Sequence, residues 1–204
     1  MDNISSEFWR GQFFEDLPVD VVKTKLEGVL LLKPKVFGDD RGFFYESYNE
    51  RTLAGCGITS LFVQDNHSRS RKNVLRGLHY QIGQPQGKLV RAVVGEIFDV
   101  AVDIRRGSPT FGQWLGQSLS AENKQMLWIA PGFAHGFVVM SDWAEVLYKT
   151  TDYYAPQMEH CIRWDDPDLA IQWPHQGEAQ LSAKDLQGKW LRNAEVYSSG
   201  VEIS

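Results

Sequence analysis

The chain has 204 residues, of which 43% are hydrophobic and 23% are charged, and its formal net charge is −5. These values are typical of one globular domain, and the negative charge argues against a nucleic acid or a membrane surface as partner. The aliphatic runs are too short to cross a bilayer, and residues 1–20 lack the apolar core of a signal peptide. Cys56 and Cys161 are the only cysteines. They indicate free thiols in a reducing cytoplasm, with a disulfide between them as the alternative.

Short strands dominate the predicted elements. Residues 1–25 are predicted to be an N-terminal arm with one short helix around 5–14. The segment 98–104 alternates larger apolar side chains with aspartate or alanine, the period of two expected of a strand with one buried face. Further strands, separated by Gly and Pro, are predicted near 29–36, 43–48, 61–64, 89–94, 127–129, 137–140 and 145–151.

Helical signals are few. One helix is predicted at about 50–55, residues 120–123 are predicted to form a single turn, and the more polar segment 176–204 is predicted to be a short helix or extended tail. A doubly wound fold would need regular helical crossovers between its strands. Many short strands with frequent turns therefore indicate an all-β sandwich or barrel.

Two of the five histidines lie in distinctive sequences. Strict alternation in the run 76–81 places Arg76 and His79 on opposite faces of a strand. His135 follows Pro-Gly in an element that resembles the second conserved motif of cupin barrels, where a tight turn delivers a histidine into the barrel mouth. The first cupin motif normally supplies a second imidazole and a glutamate, but here the run 79–88 has neither and ends in Lys88. Two histidines beside a lysine make a poor divalent-metal site, so we expect no metal.

Two further side chains are candidates for acid–base chemistry. Lys88 enters a strand, so burial of that strand would direct its ammonium inward, although the long side chain could instead snorkel to the surface. Tyr148 ends another strand, where a phenol at a barrel mouth could donate a proton. Asp185, by composition alone, has the features of a helix-capping or turn residue.

Arginines are the candidates for phosphate binding, because a planar guanidinium matches phosphate oxygens. Arg41 and Arg76 stand at the starts of predicted strands and are favoured over the run 69–72, which is predicted to be a solvated loop. The sequence has neither the dinucleotide-binding glycine motif nor a P-loop, so we expect neither a dinucleotide cofactor nor nucleotide hydrolysis.

Taken together, these sequences resemble the dTDP-4-dehydrorhamnose 3,5-epimerase family. The matching segments keep the family's order and approximate spacing: 38–46, 62–68, 74–81, 87–90, 99–105, 119–123, 132–137, 148–149 and 181–185. The resemblance implies a cupin-type jelly-roll domain at 26–188 with short peripheral helices, preceded by the arm at 1–25 and followed by a tail at 189–204. It also implies a homodimer that needs no metal and no other cofactor.

The resemblance also assigns roles to single residues. It implies His79 as general base, Asp185 as its orienting partner, Lys88 as the cation that stabilises an enolate oxygen, and Tyr148 as general acid. The implied substrate is a dTDP-linked 4-keto-6-deoxyhexose. The residues implied to hold it are Arg76 and His135 and, at the nucleotide and diphosphate, Arg41, Phe43, Glu46, Gln64, Asn66, Glu159 and Lys184.

The chemistry expected of the family agrees with these residue types. Removal of a proton next to a ketone leaves negative charge on the carbonyl oxygen, which an ammonium stabilises, while imidazole exchanges protons near neutral pH. Return of a proton to the opposite face needs a second group across the cavity. Two alternatives stay open: an epimerase acting at C3 or C5 alone, and a non-catalytic cupin that binds a carbohydrate or a protein.

Overall fold

The structure is a computed structural model that describes residues 18–198, and the helix expected around 5–14 lies outside them. Antiparallel strands form most of its regular structure. The elements are β1 Val19–Lys23, β2 Val29–Pro34, β3 Phe37–Asp39, β4 Gly42–Phe44, α1 Glu50–Gly55, β5 Gln64–Arg71, β6 Leu75–Gln81, β7 Lys88–Val94, β8 Glu96–Asp103, β9 Trp114–Ser120, β10 Met126–Ile129, β11 Phe133–Val139, β12 Trp143–Thr150, β13 Glu159–Cys161 and α2 Ala183–Leu186, with single 3-10 turns at Pro156–Met158 and Leu191–Asn193.

Two sheets pack face to face around the main core. One contains six strands in the order β1-β2-β10-β7-β12-β5, and the other contains five in the order β13-β6-β11-β8-β9. Buried side chains from both sheets meet between them, among them Leu32 and Leu127 from the first and Ile97 and Phe137 from the second. This arrangement, with α1 and α2 as short peripheral helices, confirms the all-β, cupin-type jelly-roll fold.

Strand β8 is buried on both faces, whereas its alternation predicted only one buried face. The inner face carries Asp99, Ala101 and Asp103, each fully buried. The outer face, with Val100 and Val102, belongs to a second apolar cluster that the C-terminal residues Leu169, Leu191 and Tyr197 cover. The face with the aspartates is buried because it packs toward the six-stranded sheet, together with Ile97 and Ala101. A remote segment of chain closes the opposite face, which the pattern had marked as the only buried one.

The most polar strand, β5, differs most from its prediction. The run 69–72 was predicted to be a solvated loop, but β5 runs from Gln64 to Arg71 and pairs with β12. Because β5 is an edge strand with much of its surface in water, it lacks an apolar signature. The strand predicted near 61–64 begins only at Gln64, and the one near 43–48 is confined to Gly42–Phe44.

The ends of the described chain pack against the sheets. Val19–Lys23, within the predicted arm, pairs with β2 as β1, while the predicted boundaries at 25 and 188 stay predictions. The predicted helix at 50–55 is confirmed as α1, and the Asn49 side chain caps it by accepting from the N–H groups of Arg51 and Thr52. Within residues 18–198, no helix has the length and apolar character that a membrane span requires.

Candidate active site

A cavity lies between the two sheets and brings together side chains from six strands. β6, β11 and β13 belong to one sheet, and β5, β7 and β12 belong to the other. Six of the residues singled out from the sequence line this cavity: Arg76, His79, Lys88, His135, Tyr148 and Glu159. The sandwich therefore gathers an imidazole, an ammonium and a phenol at one site, although more than 60 residues separate His79 from Tyr148 in the sequence.

Arg76 and His79 share this cavity, which corrects the prediction that they face opposite sides of their strand. Opposite β11, His79 pairs with His135 and Arg76 pairs with Phe137, so β6 holds one residue more than its partner between the two pairs. The extra residue is at Gly77, whose φ is 119°. A Cβ there would stand 2.6 Å from the Cα of Gly136, so only glycine fits. The bulge reverses the alternation that the sequence suggested.

His79 lies against a buried carboxylate that the second helix presents. Its Nε2 atom is 2.8 Å from Oδ1 of Asp185, but the oxygen lies off the direction in which the ring would form a hydrogen bond. Asp185 also accepts from the N–H of Gly77 and from the hydroxyl of Ser182, with which it forms a capping box at the start of α2. Burial opposes its charge, but the His79 ring and these donors together lower the pKa of Asp185 to about 2.

Lys88 points inward and does not snorkel. Its side chain is buried, and Nζ donates to the carbonyl of His79 over 3.3 Å. Burial lowers the pKa of this ammonium to about 8, while Asp99 and Glu159 oppose the fall. The group is therefore a desolvated cation at neutral pH.

Asp99, which the sequence analysis did not single out, holds the second cavity histidine. Its Oδ1 atom forms a 2.8 Å hydrogen bond with Nε2 of His135, and both side chains are buried. Burial lowers the pKa of His135 in spite of this carboxylate. The sequence does contain a clue to Asp99. Asp99 alternates with apolar residues in step with Ala101 and Asp103, and all three side chains are buried on the inner face of β8.

The cavity mouth carries an aromatic and charged cluster. Glu159 accepts a 2.6 Å hydrogen bond from the hydroxyl of Tyr154 and forms an ion pair with Lys184. Tyr148, deeper in the cavity, is partly buried, and this burial raises the pKa of its phenol although Arg76 opposes the shift. Tyr148 is therefore protonated at neutral pH, as a proton donor must be.

Sequence reasoning also missed Ser68 and Tyr154, both of which line the cavity. The hydroxyl of Ser68 is buried without a hydrogen-bond partner among the described residues. Tyr154 lies just after β12, and its backbone N–H donates to the side chain of Gln64, which itself bonds to Asn66. Gln64 and Asn66 thus lie beside the mouth without lining the cavity.

Three further predicted substrate-binding residues lie away from both the cavity and its mouth within one chain. Arg41 and Phe43 belong to the β3–β4 hairpin, which forms a separate, more open cavity of its own. Their side chains are largely exposed, and Arg41 pairs with Asp39. Glu46 instead accepts hydrogen bonds from Asn49 and Thr52 at the start of α1.

The remaining histidines and the cysteines lie outside the cavity lining. His67 pairs with Glu145, His160 stacks on Tyr80, and His175 contacts the carbonyl of Gly177. The two cysteines, Cys56 and Cys161, are free, so the disulfide alternative is wrong. Burial and the neighbouring Asp185 raise the pKa of the Cys161 thiol to about 12.

Comparison with known proteins identifies the family. The model of the dTDP-4-dehydrorhamnose 3,5-epimerase family matches residues 23–193. Proteins named dTDP-4-dehydrorhamnose 3,5-epimerase from Pseudomonas aeruginosa and Salmonella typhimurium are 65% and 60% identical, over 83% and 85% of this chain and 94% and 96% of theirs. A dTDP-6-deoxy-D-glucose-3,5-epimerase from Legionella pneumophila, crystallised with dTDP-4-keto-L-rhamnose, is 52% identical with a TM-score of 0.87, covering 90% of this chain and 100% of that one. On the strength of the fold, the cavity and these matches, the chain belongs to the dTDP-4-dehydrorhamnose 3,5-epimerase family.

Proposed function

We propose that the protein converts dTDP-4-dehydro-6-deoxyglucose to dTDP-4-dehydrorhamnose, inverting C3 and C5 by general acid–base catalysis through an enolate. It is an isomerase, as its family is. The observation that carries the mechanism is the meeting of His79, Lys88 and Tyr148 in one cavity. The Legionella relative, whose crystal structure contains dTDP-4-keto-L-rhamnose, supports the choice of substrate class.

His79 is the general base that removes the proton next to the ketone. An imidazole exchanges protons near neutral pH, so it can take a carbon-bound proton and later release it. The carboxylate of Asp185, 2.8 Å from the ring, stabilises the imidazolium that forms. Because Gly77, Ser182 and the His79 ring all favour its charged form, Asp185 stays ionised while His79 gains and loses the proton.

Lys88 stabilises the enolate oxygen. Loss of the proton transfers negative charge to the oxygen at C4, and the buried Lys88 ammonium offers a fixed positive charge in a site with little water. A single well-placed donor of this kind contributes about 10²–10³ to the rate. Arg76 and His135, which line the same cavity, hold the sugar beside it.

Tyr148 returns a proton to the opposite face of the sugar. His79 lies on β6 in the five-stranded sheet and Tyr148 lies on β12 in the six-stranded sheet, so the two groups belong to opposite walls of the cavity. Inversion needs this arrangement, because a single group that removed and returned the proton on one face would restore the starting configuration. Both C3 and C5 flank the ketone at C4, so the same pair of groups serves both carbons in turn.

The nucleotide and diphosphate extend past the cavity mouth. This region is surrounded by Glu159, Lys184, Gln64 and Asn66, and the ring of Tyr154 lies there.

A second chain would supply the remaining nucleotide contacts. Within one chain the hairpin and the start of α1 hold Arg41, Phe43 and Glu46 away from the cavity, so these residues can bind the nucleotide only if they come from another chain. A homodimer provides this, and the exposed aromatic side chains of the β3–β4 hairpin support it. Two free cysteines are typical of a reducing compartment, so the proposal places the dimer in the cytoplasm.

Exchange in deuterated water tests the mechanism. Incubation of the enzyme with dTDP-4-keto-6-deoxyglucose should introduce deuterium at two carbons, detected by mass spectrometry. His79→Gln should abolish exchange, and His67→Gln, an exposed histidine outside the cavity, serves as the matched control. Full deuterium exchange in His79→Gln would exclude His79 as the general base. One exchanged carbon would favour a single-site epimerase, and binding without exchange would favour a non-catalytic cupin.

A further inference from the structure

Cys161 lies beside the proposed base, although the reaction does not use it. In the ladder between β13 and β6, Cys161 pairs directly with His79, so the two side chains project from the same face of the sheet. Asp185 approaches the same point from α2. A ring nitrogen of His79, Sγ of Cys161 and a carboxylate oxygen of Asp185 all lie within 4.8 Å of one another.

A close but misaligned contact lies at the centre of this group. Nε2 of His79 is buried and forms no aligned hydrogen bond among the described residues, although the Asp185 carboxylate is only 2.8 Å away. His135 and Asp99 stand at the same separation but do form a hydrogen bond. The Asp185 carboxylate is thus an electrostatic partner of His79 but leaves the hydrogen-bonding direction of Nε2 open, and a bound ligand would fill it.

We propose that His79, Cys161 and Asp185 form a binding site for Zn²⁺ or a similar thiophilic divalent cation, and that the bound metal inhibits the enzyme. Imidazole nitrogen, thiolate sulfur and carboxylate oxygen are the ligands that zinc takes in proteins. Three protein ligands leave the fourth tetrahedral position for water. The proposed site is not the usual cupin metal site. It does not include His135, and the sequence lacks the second histidine and the glutamate of the first cupin motif.

The geometry needs only a small adjustment. Zinc bonds of about 2.0–2.3 Å place tetrahedral ligand atoms roughly 3.5 Å apart. Atoms as far apart as 4.8 Å must therefore close by about 1.3 Å, and the His79 and Asp185 atoms, now 2.8 Å apart, must open by about 0.7 Å. His79 and Cys161 are only partly buried and can move, while Asp185 is held by Gly77 and Ser182. A bound divalent ion deprotonates a coordinating thiol.

The charges around the thiol favour a cation. The ionisable groups that act on Cys161 are Asp185 and Glu159, which are acidic, and Lys184, which forms an ion pair with Glu159. Lys88 donates to the backbone carbonyl of His79 and adds one positive charge nearby. The two carboxylates balance these two ammonium groups, and the thiolate that forms on coordination makes the local charge negative.

Inhibition follows from the electron pair that the metal uses, and this part of the inference rests on the proposed function. Imidazole bound to a metal through one nitrogen and protonated at the other has no free lone pair, so His79 could not accept a proton from the sugar. The metal would also neutralise the carboxylate that stabilises the imidazolium.

Metal titration of the purified, metal-free enzyme tests the site. Zn²⁺ affinity and stoichiometry are measured in competition with a chromogenic chelator, and deuterium exchange into the keto sugar is followed in the same samples. Co²⁺ serves as a spectroscopic probe, because a cysteine ligand produces a thiolate-to-cobalt charge-transfer band in the near ultraviolet. The variant is Cys161→Ser, and the matched control is Cys56→Ser, which alters the other free, partly buried thiol.

We expect one ion per chain, progressive loss of exchange, and a thiolate band in the cobalt form. Cys161→Ser should weaken zinc binding and inhibition at least about tenfold and remove the band, while Cys56→Ser should do neither. Equal inhibition of both variants, or a cobalt spectrum of the parent enzyme without the band, would overturn the site and leave the proposed function intact. Tight binding through Cys161 without inhibition would overturn the inhibitory role and would also argue against His79 as base.

Discussion

Replacing Lys88 with methionine should make the protein more stable and less active at the same time. Methionine keeps nearly the same length and volume but removes the charge. Burial lowers the pKa of Lys88 from 10.5 to about 8, so keeping the ammonium charged in the empty cavity costs free energy. At about 1.4 kcal/mol for each tenfold change in acidity, the cost is about 3 kcal/mol at neutral pH.

Methionine also removes one hydrogen bond, the one that Nζ of Lys88 donates to the His79 carbonyl. An unsatisfied buried carbonyl costs about 1 kcal/mol, so the net gain in the free energy of unfolding is about 2 kcal/mol at pH 7. The catalytic loss is larger and opposite in sign, because the enolate oxygen would lose its cation. The turnover number should fall by about 10²–10³.

The pH dependence of stability separates this explanation from simple repacking. Between about pH 8 and 10.5 the unfolded chain keeps the Lys88 proton that the folded chain has released, so the Lys88 contribution to the free energy of unfolding rises with pH in this range. The raised pKa of the Cys161 thiol acts in the opposite direction, but equally in both proteins. The stability advantage of Lys88→Met over the parent should therefore shrink between pH 7 and 9.5. Urea denaturation at pH 7 and 9.5, with deuterium exchange for activity, measures both effects. A variant that is less stable than the parent at pH 7, or that retains more than a tenth of the turnover, would refute the reasoning.

Three further changes test the supports of the site. Gly77→Ala should lower the free energy of unfolding by at least about 2 kcal/mol in urea denaturation, because its Cβ would stand 2.6 Å from Gly136. Asp99→Asn should shift the alkaline limb of kcat/KM, expected near pH 8, to lower pH, because the carboxylate helps to keep the buried ammonium protonated. Ser182→Ala should cost about 1 kcal/mol in thermal denaturation by removing the cap of α2.

Each of these changes has a result that would contradict it. Gly57→Ala is the matched control for Gly77→Ala, since Gly57 also has a positive φ but has no atom within 4 Å of the added Cβ. If the two glycine variants lost equal stability, the close contact at the bulge would not matter. If the alkaline limb of kcat/KM did not shift in Asp99→Asn, that limb would not report the titration of Lys88. If the melting temperature did not change in Ser182→Ala, the cap of α2 would contribute no stability.

Local patterns in the sequence were sufficient for the fold class and for much of the site. Alternating strands punctuated by Gly and Pro predicted the all-β sandwich, and the helix predicted at 50–55 is α1. The family-like sequences predicted His79, Lys88, His135 and Tyr148, which do line one cavity. These features are readable because hydrophobic period, turn chemistry and side-chain type act over a few neighbouring residues.

Tertiary structure decided what depends on distant segments. The bulge at Gly77 turned Arg76 to the same side as His79, because Gly136 on the neighbouring strand leaves no room for a Cβ. Packing of the two sheets placed Asp99 inside, against His135, while the C-terminal segment covered the opposite face of β8. No local period encodes such contacts, since each depends on which remote residues the sheet order brings together. In the same way the folded chain leaves Arg41 and Phe43 on a separate hairpin, although their sequence motif had grouped them with the site.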